Sequence, residues 1–367
     1  MRVSAFQLFA LVVLFELGSA IVVGLGMQAK QDAWIAILLG MVSGVGVFSI
    51  YWYLYLHFPS HTFTDYIPKI VGRYLGYPIA AAYISYFAYI ASRILRDAGD
   101  LLITANFNET PLIVINAMIL AVIVYGLVLG VDVLARSGEI FFCVVVAFIA
   151  FLLGSLFLTR HTVHPENLLP VLEQGWRPVL KTAFPLTATF PFGETIAFGA
   201  LLPLFRRPAA AWKIGCAAIV ASGALLSFIR ALDISVLGAH LASTSQFPFL
   251  ETTRRINIGE VIQRMDAFVL SILLIGSFFK IAIFTYAAAA GIRSLLSMRS
   301  ASPSVLFVAA CILPASLFIA SNVPQHFDIG LKDVPYWLHL PFQYGIPLLL
   351  TFVLLFRRGT RGIRSTR

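Results

Sequence analysis

This sequence has little charge for its length, and that scarcity decides its class. Of its 367 residues only 12% are Asp, Glu, Lys or Arg, whereas 59% are hydrophobic and the mean hydropathy is +0.89. Soluble domains carry roughly 25% charged residues. The longest polar stretches, 57–77, 160–177, 238–261 and 322–336, are each too short for an independent core. A soluble domain is therefore excluded, and the sequence predicts an all-α integral membrane protein.

Cysteine is scarce as well, and the motifs of metal and nucleotide sites are missing. Cys143, Cys216 and Cys311 fall in three different apolar runs, so they suggest neither a disulfide framework nor a metal cluster. Most histidines fall in loops or at the ends of apolar runs, and His161 with His164 has no clear third ligand. No glycine-rich phosphate loop is present. We therefore expect no enzyme activity, no metal and no cofactor.

What the sequence does contain is a series of apolar runs near the 20 residues that cross a bilayer. Ten such runs lie at about 5–26, 34–56, 78–104, 111–131, 138–159, 178–204, 212–237, 262–290, 304–321 and 337–356. Ten spans place both termini on one side, where Lys and Arg number fourteen against eight on the other. This bias predicts that both termini are cytoplasmic.

The formal net charge is +9. Because the basic residues are distributed as in a membrane protein, we expect no nucleic-acid partner. The basic tail, 357–367, is expected to lie against anionic lipid. Docking of a partner protein to the tail is the alternative.

Two of the runs are interrupted by residues that break helices. Phe190-Pro191-Phe192-Gly193-Glu194 interrupts the sixth run, and Glu16-Leu17-Gly18-Ser19-Ala20 interrupts the first. Proline removes a backbone donor and glycine weakens a helix, so the freed backbone groups must lie within protein or line a cavity. A cleaved signal peptide is an alternative for the first twenty residues, but Glu16 fits it poorly.

The positions of the two breaks predict an internal repeat. Dividing the ten spans after the fifth gives two five-helix units that enter the membrane in opposite senses, and each unit has a break in its first helix. Such an inverted repeat places a binding site at the discontinuous helices.

Several short runs carry a resemblance over nearly the whole chain. They are Ala29-Lys30-Gln31-Asp32-Ala33-Trp34, Leu95-Arg96-Asp97, Glu109-Thr110-Pro111, Asn167-Leu168-Leu169-Pro170-Val171-Leu172-Glu173, Phe192-Gly193-Glu194 and Ile256-Asn257-Ile258-Gly259. In order and spacing these runs resemble the B subunit of spore germinant receptors, the GerAB family. That family is similar to the amino acid, polyamine and organocation transporters. The likeness implies a LeuT-like five-plus-five fold in one transporter-like domain: a first repeat at 1–159, a second at 160–356 and a tail at 357–367.

The resemblance also implies a function and its partners. It implies a nutrient-sensing subunit in the inner membrane of a bacterial spore, beside an A subunit and a lipoprotein C subunit. The expected ligand is a small germinant such as an amino acid. An amino acid permease of the same superfamily is the alternative, because both would use one binding site.

The two breaks predict the polar part of that site, since free N–H groups favour a carboxylate and free carbonyls an ammonium. The breaks would contribute Gly18, Ser19, Ala20, Phe190, Phe192, Gly193 and Glu194. The likeness to the superfamily implies a wall from the third and eighth spans. Its residues are Tyr86, Tyr89, Ile90 and Arg93 from one span and Phe279, Lys280, Ile281, Phe284 and Thr285 from the other.

Charges inside apolar runs are a further signal, because each costs about 3 kcal/mol or more unless it is paired or hydrated. Such charges are Glu16, Arg93, Glu194, Arg230, Asp233 and Lys280. We expect Arg230 to pair with Asp233, and Arg93 to pair with the nearby acidic residues Asp97 and Asp100. For Lys280 two interpretations stay open. It takes the place of the sodium ion that bridges the first and eighth helices in many transporters of this fold, or it neutralises Glu16 or Glu194.

Overall fold

A computed structural model describes residues 3–364 of this protein, apart from 106, 108, 160–161, 206–207 and 257–264. The run Asn257-Ile258-Gly259, which contributed to the family resemblance, and the tail residues 365–367 lie outside the described residues. Within these ranges the chain is helical, and the sole strand-like pairing is a bridge between Val3 and Phe205. The all-α class is therefore confirmed.

Thirteen α-helices are described. They are α1 Ala5–Leu17, α2 Ala33–His57, α3 Phe63–Val71, α4 Arg73–Ala105, α5 Leu112–Leu129, α6 Val131–Leu158, α7 Trp176–Thr182, α8 Pro208–Thr244, α9 Pro248–Thr253, α10 Asp266–Leu295, α11 Ser302–Phe318, α12 Val323–Asp328 and α13 Ile346–Arg364. Shorter 3₁₀ segments lie at Met27–Asp32, Pro165–Leu168, Phe192–Ala200 and Leu202–Leu204. Wider π segments lie at Ala183–Thr187, Ile329–Asp333 and Pro335–Gly345.

In the described chain, seven helices are long and apolar enough to cross a membrane, and an eighth span results if α11 and the segment Val323–Asp333, bent by 114° relative to each other, count as one. These helices correspond to eight of the ten predicted runs. The other two runs, 5–26 and 178–204, contain only short helices because both are broken. The ten-helix inverted repeat stays a prediction.

The first break lies at Gly18, as the sequence predicts. Helix α1 begins at a capping box in which Ser4 and Gln7 exchange hydrogen bonds, and it ends at Leu17 because Gly18 has φ +24° and ψ −127°. That backbone conformation is one that side chains with a Cβ avoid. The chain then continues without a regular helix through the buried residues Ser19 and Ala20.

The carbonyls freed by this break are bonded from helix α8. The Arg230 Nη2 atom donates to the carbonyls of Val23 at 2.8 Å and Ala20 at 3.5 Å. Asp233 lies 2.9 Å from Arg230 and accepts a hydrogen bond from the Thr252 hydroxyl at 2.6 Å. The predicted pairing of Arg230 with Asp233 is present, and it satisfies backbone groups that hydrocarbon would leave unbonded.

The second break lies between the π segment that follows α7 and the 3₁₀ segment Phe192–Ala200. At the start of the 3₁₀ segment, the Gly193 carbonyl accepts a hydrogen bond from the Tyr51 hydroxyl at 3.1 Å. The same hydroxyl lies 2.7 Å from the Gln343 carbonyl. A buried tyrosine of α2 thus joins the second break to the last π segment.

Helix α10 runs between the two breaks and is buried along most of its length. A Cβ placed at Gly276 would lie 2.8 Å from the Gly18 Cα atom, so the small residue allows α10 to approach the first break closely. At the periphery, α5, α6 and α13 expose large apolar side chains such as Met118, Ile140 and Phe352. Faces of this kind suit lipid contact.

Candidate functional site

A buried lysine of α10 connects the two breaks. This residue is Lys280, and its Nζ atom lies 2.5 Å from the Glu194 carboxylate. The Lys280 and Glu194 side chains are 0% and 2% exposed. Its aliphatic stem covers Gly18, where an added Cβ would lie 2.8 Å from the Lys280 Cδ atom. The ammonium also lies 4.6 Å from the ring centre of Phe190 and 5.2 Å from that of Phe15, within the range of cation–π attraction.

Glu16 is the second buried carboxylate at this point of the fold. The residue is 0% exposed, and neither carboxylate oxygen has a hydrogen-bond donor among the described residues. Its electrostatic neighbours include Lys280 and Glu194. Because the Lys280 ammonium is paired with Glu194, Glu16 has no ion-pair partner among the described residues.

A cavity of about 50 Å³ lies beside the second break. A space of this size is large enough to hold water. Its charged and titratable lining residues are Arg93, Asp97, Glu194 and His339. The remaining wall is largely apolar and includes Val23, Ile90, Ile94, Phe190 and Val334.

Val23, Phe327 and Leu331 line both this cavity and a larger hollow. Phe327 and Leu331 lie on α12 and the π segment after it, and the hollow has a volume of about 260 Å³. Gln28 and Gln246 also line that hollow. The central cavity therefore has a wider space next to it.

Arg93 of α4 presents a guanidinium to the cavity. Its Nη2 atom donates to the His326 carbonyl at 2.6 Å, and among the described residues no carboxylate lies within ion-pair distance of it. The expected pairing with Asp97 or Asp100 is not found. Asp97 contacts the His326 Nε2 atom at 2.7 Å, and Asp100 contacts Arg96 at 2.7 Å, so both carboxylates have other partners.

His339 is a site residue that the sequence reasoning missed. It lies in the π segment Pro335–Gly345, and its Nδ1 atom is 2.8 Å from the Tyr86 hydroxyl and 3.0 Å from the Gln343 Nε2 atom. Since the amide nitrogen only donates, the network assigns Nδ1 as an acceptor and places the proton on Nε2. That Nε2 atom lies 3.8 Å from the Glu194 carboxylate. The available signal was two polar residues spaced four apart, His339 and Gln343, inside the last apolar run.

Not all of the predicted site residues reach the cavity. Ile90, Arg93, Phe190 and Glu194 line it. The other predicted ligand-site residues are buried without belonging to its described lining: Gly18, Ser19, Ala20, Tyr86, Phe192, Gly193, Ile281, Phe284 and Thr285.

Local packing explains several of these positions. Phe192 packs on Gly44, Gly193 faces the Gln343 side chain, and the Phe284 ring packs against Phe15. These residues contact other parts of the protein, so they pack behind the residues that line the cavity.

Apolar helices long enough to cross a membrane, packed around two interrupted segments and a buried ion pair, define an integral membrane protein. The model of the family described as spore germination protein matches residues 2–324. This chain therefore belongs to the spore germination protein family, and its predicted resemblance to germinant receptor B subunits is confirmed.

Curated relatives agree with that assignment. The chain is 37% identical to spore germination protein KB of Bacillus subtilis (strain 168) over 364 residues, 98% of this chain and 96% of that protein. It is 28% identical to spore germination protein YndE of the same strain over 313 residues, 82% and 84% of the two chains. Spore germination protein XB of Bacillus anthracis is 23% identical over 263 residues, 70% of each chain.

Proposed function

We propose that this protein is the nutrient-sensing membrane subunit of a spore germinant receptor, and that its central cavity binds a small free amino acid. The observation that carries the proposal is the cavity's charge arrangement. Arg93 offers a guanidinium without a described carboxylate partner, and Glu194, which is paired with Lys280, lines the same cavity. A zwitterion supplies the opposite charge to each.

The fit follows from the chemistry of the lining. A guanidinium binds a carboxylate through charge-assisted hydrogen bonds, and Glu194 accepts an ammonium in the same way. The ligand's side chain would then meet the apolar wall formed by Ile90, Ile94 and Val334. A cavity of about 50 Å³ favours a small side chain.

The cellular setting comes from the relatives. All three are named as spore germination proteins, which supports a setting in the spore inner membrane. The Lys and Arg bias supports cytoplasmic termini, and the resemblance to receptor B subunits implies A and C subunits as partners. The five-plus-five repeat, with units 1–159 and 160–356, would give it two conformations between which a ligand shifts the population. An amino acid permease would use the same cavity and is the second candidate.

Binding of L-alanine to the purified protein in lipid nanodiscs tests the site. Arg93→Gln should weaken binding roughly 10- to 150-fold, because hydrogen bonds to charged groups contribute about 1.5–3 kcal/mol. Arg254→Gln is the matched control, since that arginine is exposed and pairs with Glu251. Propionate and ethylamine, which each lack one charge of the zwitterion, should bind much more weakly than L-alanine.

Two results would contradict this site assignment. One is equal affinity of the Arg93→Gln and unmodified proteins for L-alanine. The other is an unmodified, folded protein that binds none of glycine, L-alanine and L-valine.

A further inference from the structure

We infer that Glu16 is a proton-binding site, and that it releases its proton when a ligand occupies the central cavity. The inference rests on the proposed function, because it takes the ligand's ammonium as the partner of Glu194. It links ligand binding beside the second break to the release of a proton from Glu16 at the first break.

Each element packed against α1 carries charged residues. Helix α10 contributes Lys280, and the 3₁₀ segment Phe192–Ala200 contributes Glu194. Glu194 also lies near His339 and lines the cavity together with Arg93. Helix α8 contributes Arg230 and Asp233, which are paired with each other. Helix α6 contributes Glu139, which accepts a hydrogen bond from Gln7 near the start of α1.

In this arrangement Glu16 has no hydrogen-bond or ion-pair partner among the described residues. Lys280 contacts Glu194 at 2.5 Å, and Arg230 is held by Asp233 at 2.9 Å. A fully buried carboxylate with no hydrogen-bond donor and no cation within ion-pair distance is strongly disfavoured as an anion. Glu16 therefore holds a proton in this state and is neutral.

Ligand binding changes the partner of Lys280. When the ligand's ammonium pairs with Glu194 and its carboxylate with Arg93, the lysine loses its place at Glu194. Its Nζ atom lies 5.2 Å from the Phe15 ring on α1, and Glu16 is a second buried carboxylate that interacts electrostatically with Lys280, so Glu16 is the alternative acceptor. The O–H bond of Glu16 breaks, the proton passes to solution, and a Lys280–Glu16 ion pair forms.

The charges balance in both states. Before binding, the site contains the Lys280–Glu194 pair, cationic Arg93 and neutral Glu16. Afterwards the zwitterion, which adds no net charge, pairs with Glu194 and Arg93, while Lys280 pairs with anionic Glu16. One positive charge has left as the proton. Because Lys280 lies against Gly18, the exchange couples the cavity to the end of α1.

Calorimetry of L-alanine binding in buffers of different ionisation enthalpy measures this proton directly. In the unmodified protein near neutral pH, the binding enthalpy should vary with the buffer by about one proton released per ligand, and affinity should rise about tenfold per pH unit while free Glu16 is protonated. Glu16→Gln should still bind L-alanine, but without proton release or pH dependence. Glu139→Gln is the matched control and should release the proton as the unmodified protein does.

The outcomes separate the two proposals. Absence of L-alanine binding by the folded, unmodified protein overturns the proposed function and, with it, the basis of the inference. Binding without proton release overturns the inference alone, as does proton release that persists in Glu16→Gln. If Glu16→Gln does not fold, the unmodified protein still decides through its buffer dependence and its affinity as a function of pH.

Discussion

Removal of the lysine charge provides a severe test of the site as an ion-paired unit. Lys280→Met keeps most of the side-chain volume, but it removes the ammonium that faces the Phe15 and Phe190 rings and leaves Glu194 buried without its cation. Breaking a buried pair by removing one partner costs about 3–5 kcal/mol. That loss is a large share of the 5–15 kcal/mol by which a typical protein is stable.

The double variant Lys280→Met with Glu194→Gln isolates the cause. With both charges removed, no buried charge is left unpaired, so most of the lost stability should return. The assay is thermal unfolding of the purified proteins in one detergent, followed by the fraction that remains monodisperse. Accumulation in membranes is a second readout.

Two results would refute this reasoning. If Lys280→Met unfolds at the same temperature as the unmodified protein, the ion pair contributes nothing measurable to stability. If the double variant is as unstable as Lys280→Met alone, the loss arises from packing around the lysine stem and not from the unpaired carboxylate.

Two further predictions concern the breaks and the choice between receptor and permease. Gly18→Leu should abolish the germination response while the protein still accumulates, because its Cβ would meet the Lys280 stem at a backbone φ of +24°. Gly193→Leu should have the same effect because its side chain would displace Gln343. Gly46→Leu is the control and should respond normally, because open space surrounds Gly46. Normal responses in both break variants would argue against the site. In lipid vesicles without partner subunits, the protein should bind L-alanine but show no gradient-driven accumulation of radiolabel, and sustained uptake would favour the permease.

The sequence alone determined the membrane class and the positions of the breaks. Both are local properties: charge content and run length fix which segments can enter lipid, and a proline or glycine weakens a helix wherever it occurs. For the same reason Gly18 and Gly193 could be singled out without coordinates. Arg230 and Asp233 could be paired in advance because three residues separate them on one helix.

Tertiary structure decided which charges meet and where the cavity lies. The contacts of Lys280 with Glu194 and of Asp97 with His326 join residues far apart in the sequence, and the second contact takes from Arg93 the partner that spacing suggested. The 114° bend after α11 brings Phe327 and Leu331 to the cavity, and a π segment turns His339 towards Glu194. No local pattern encodes these contacts, because each depends on how separate helices pack and on which competing partner is nearer in space.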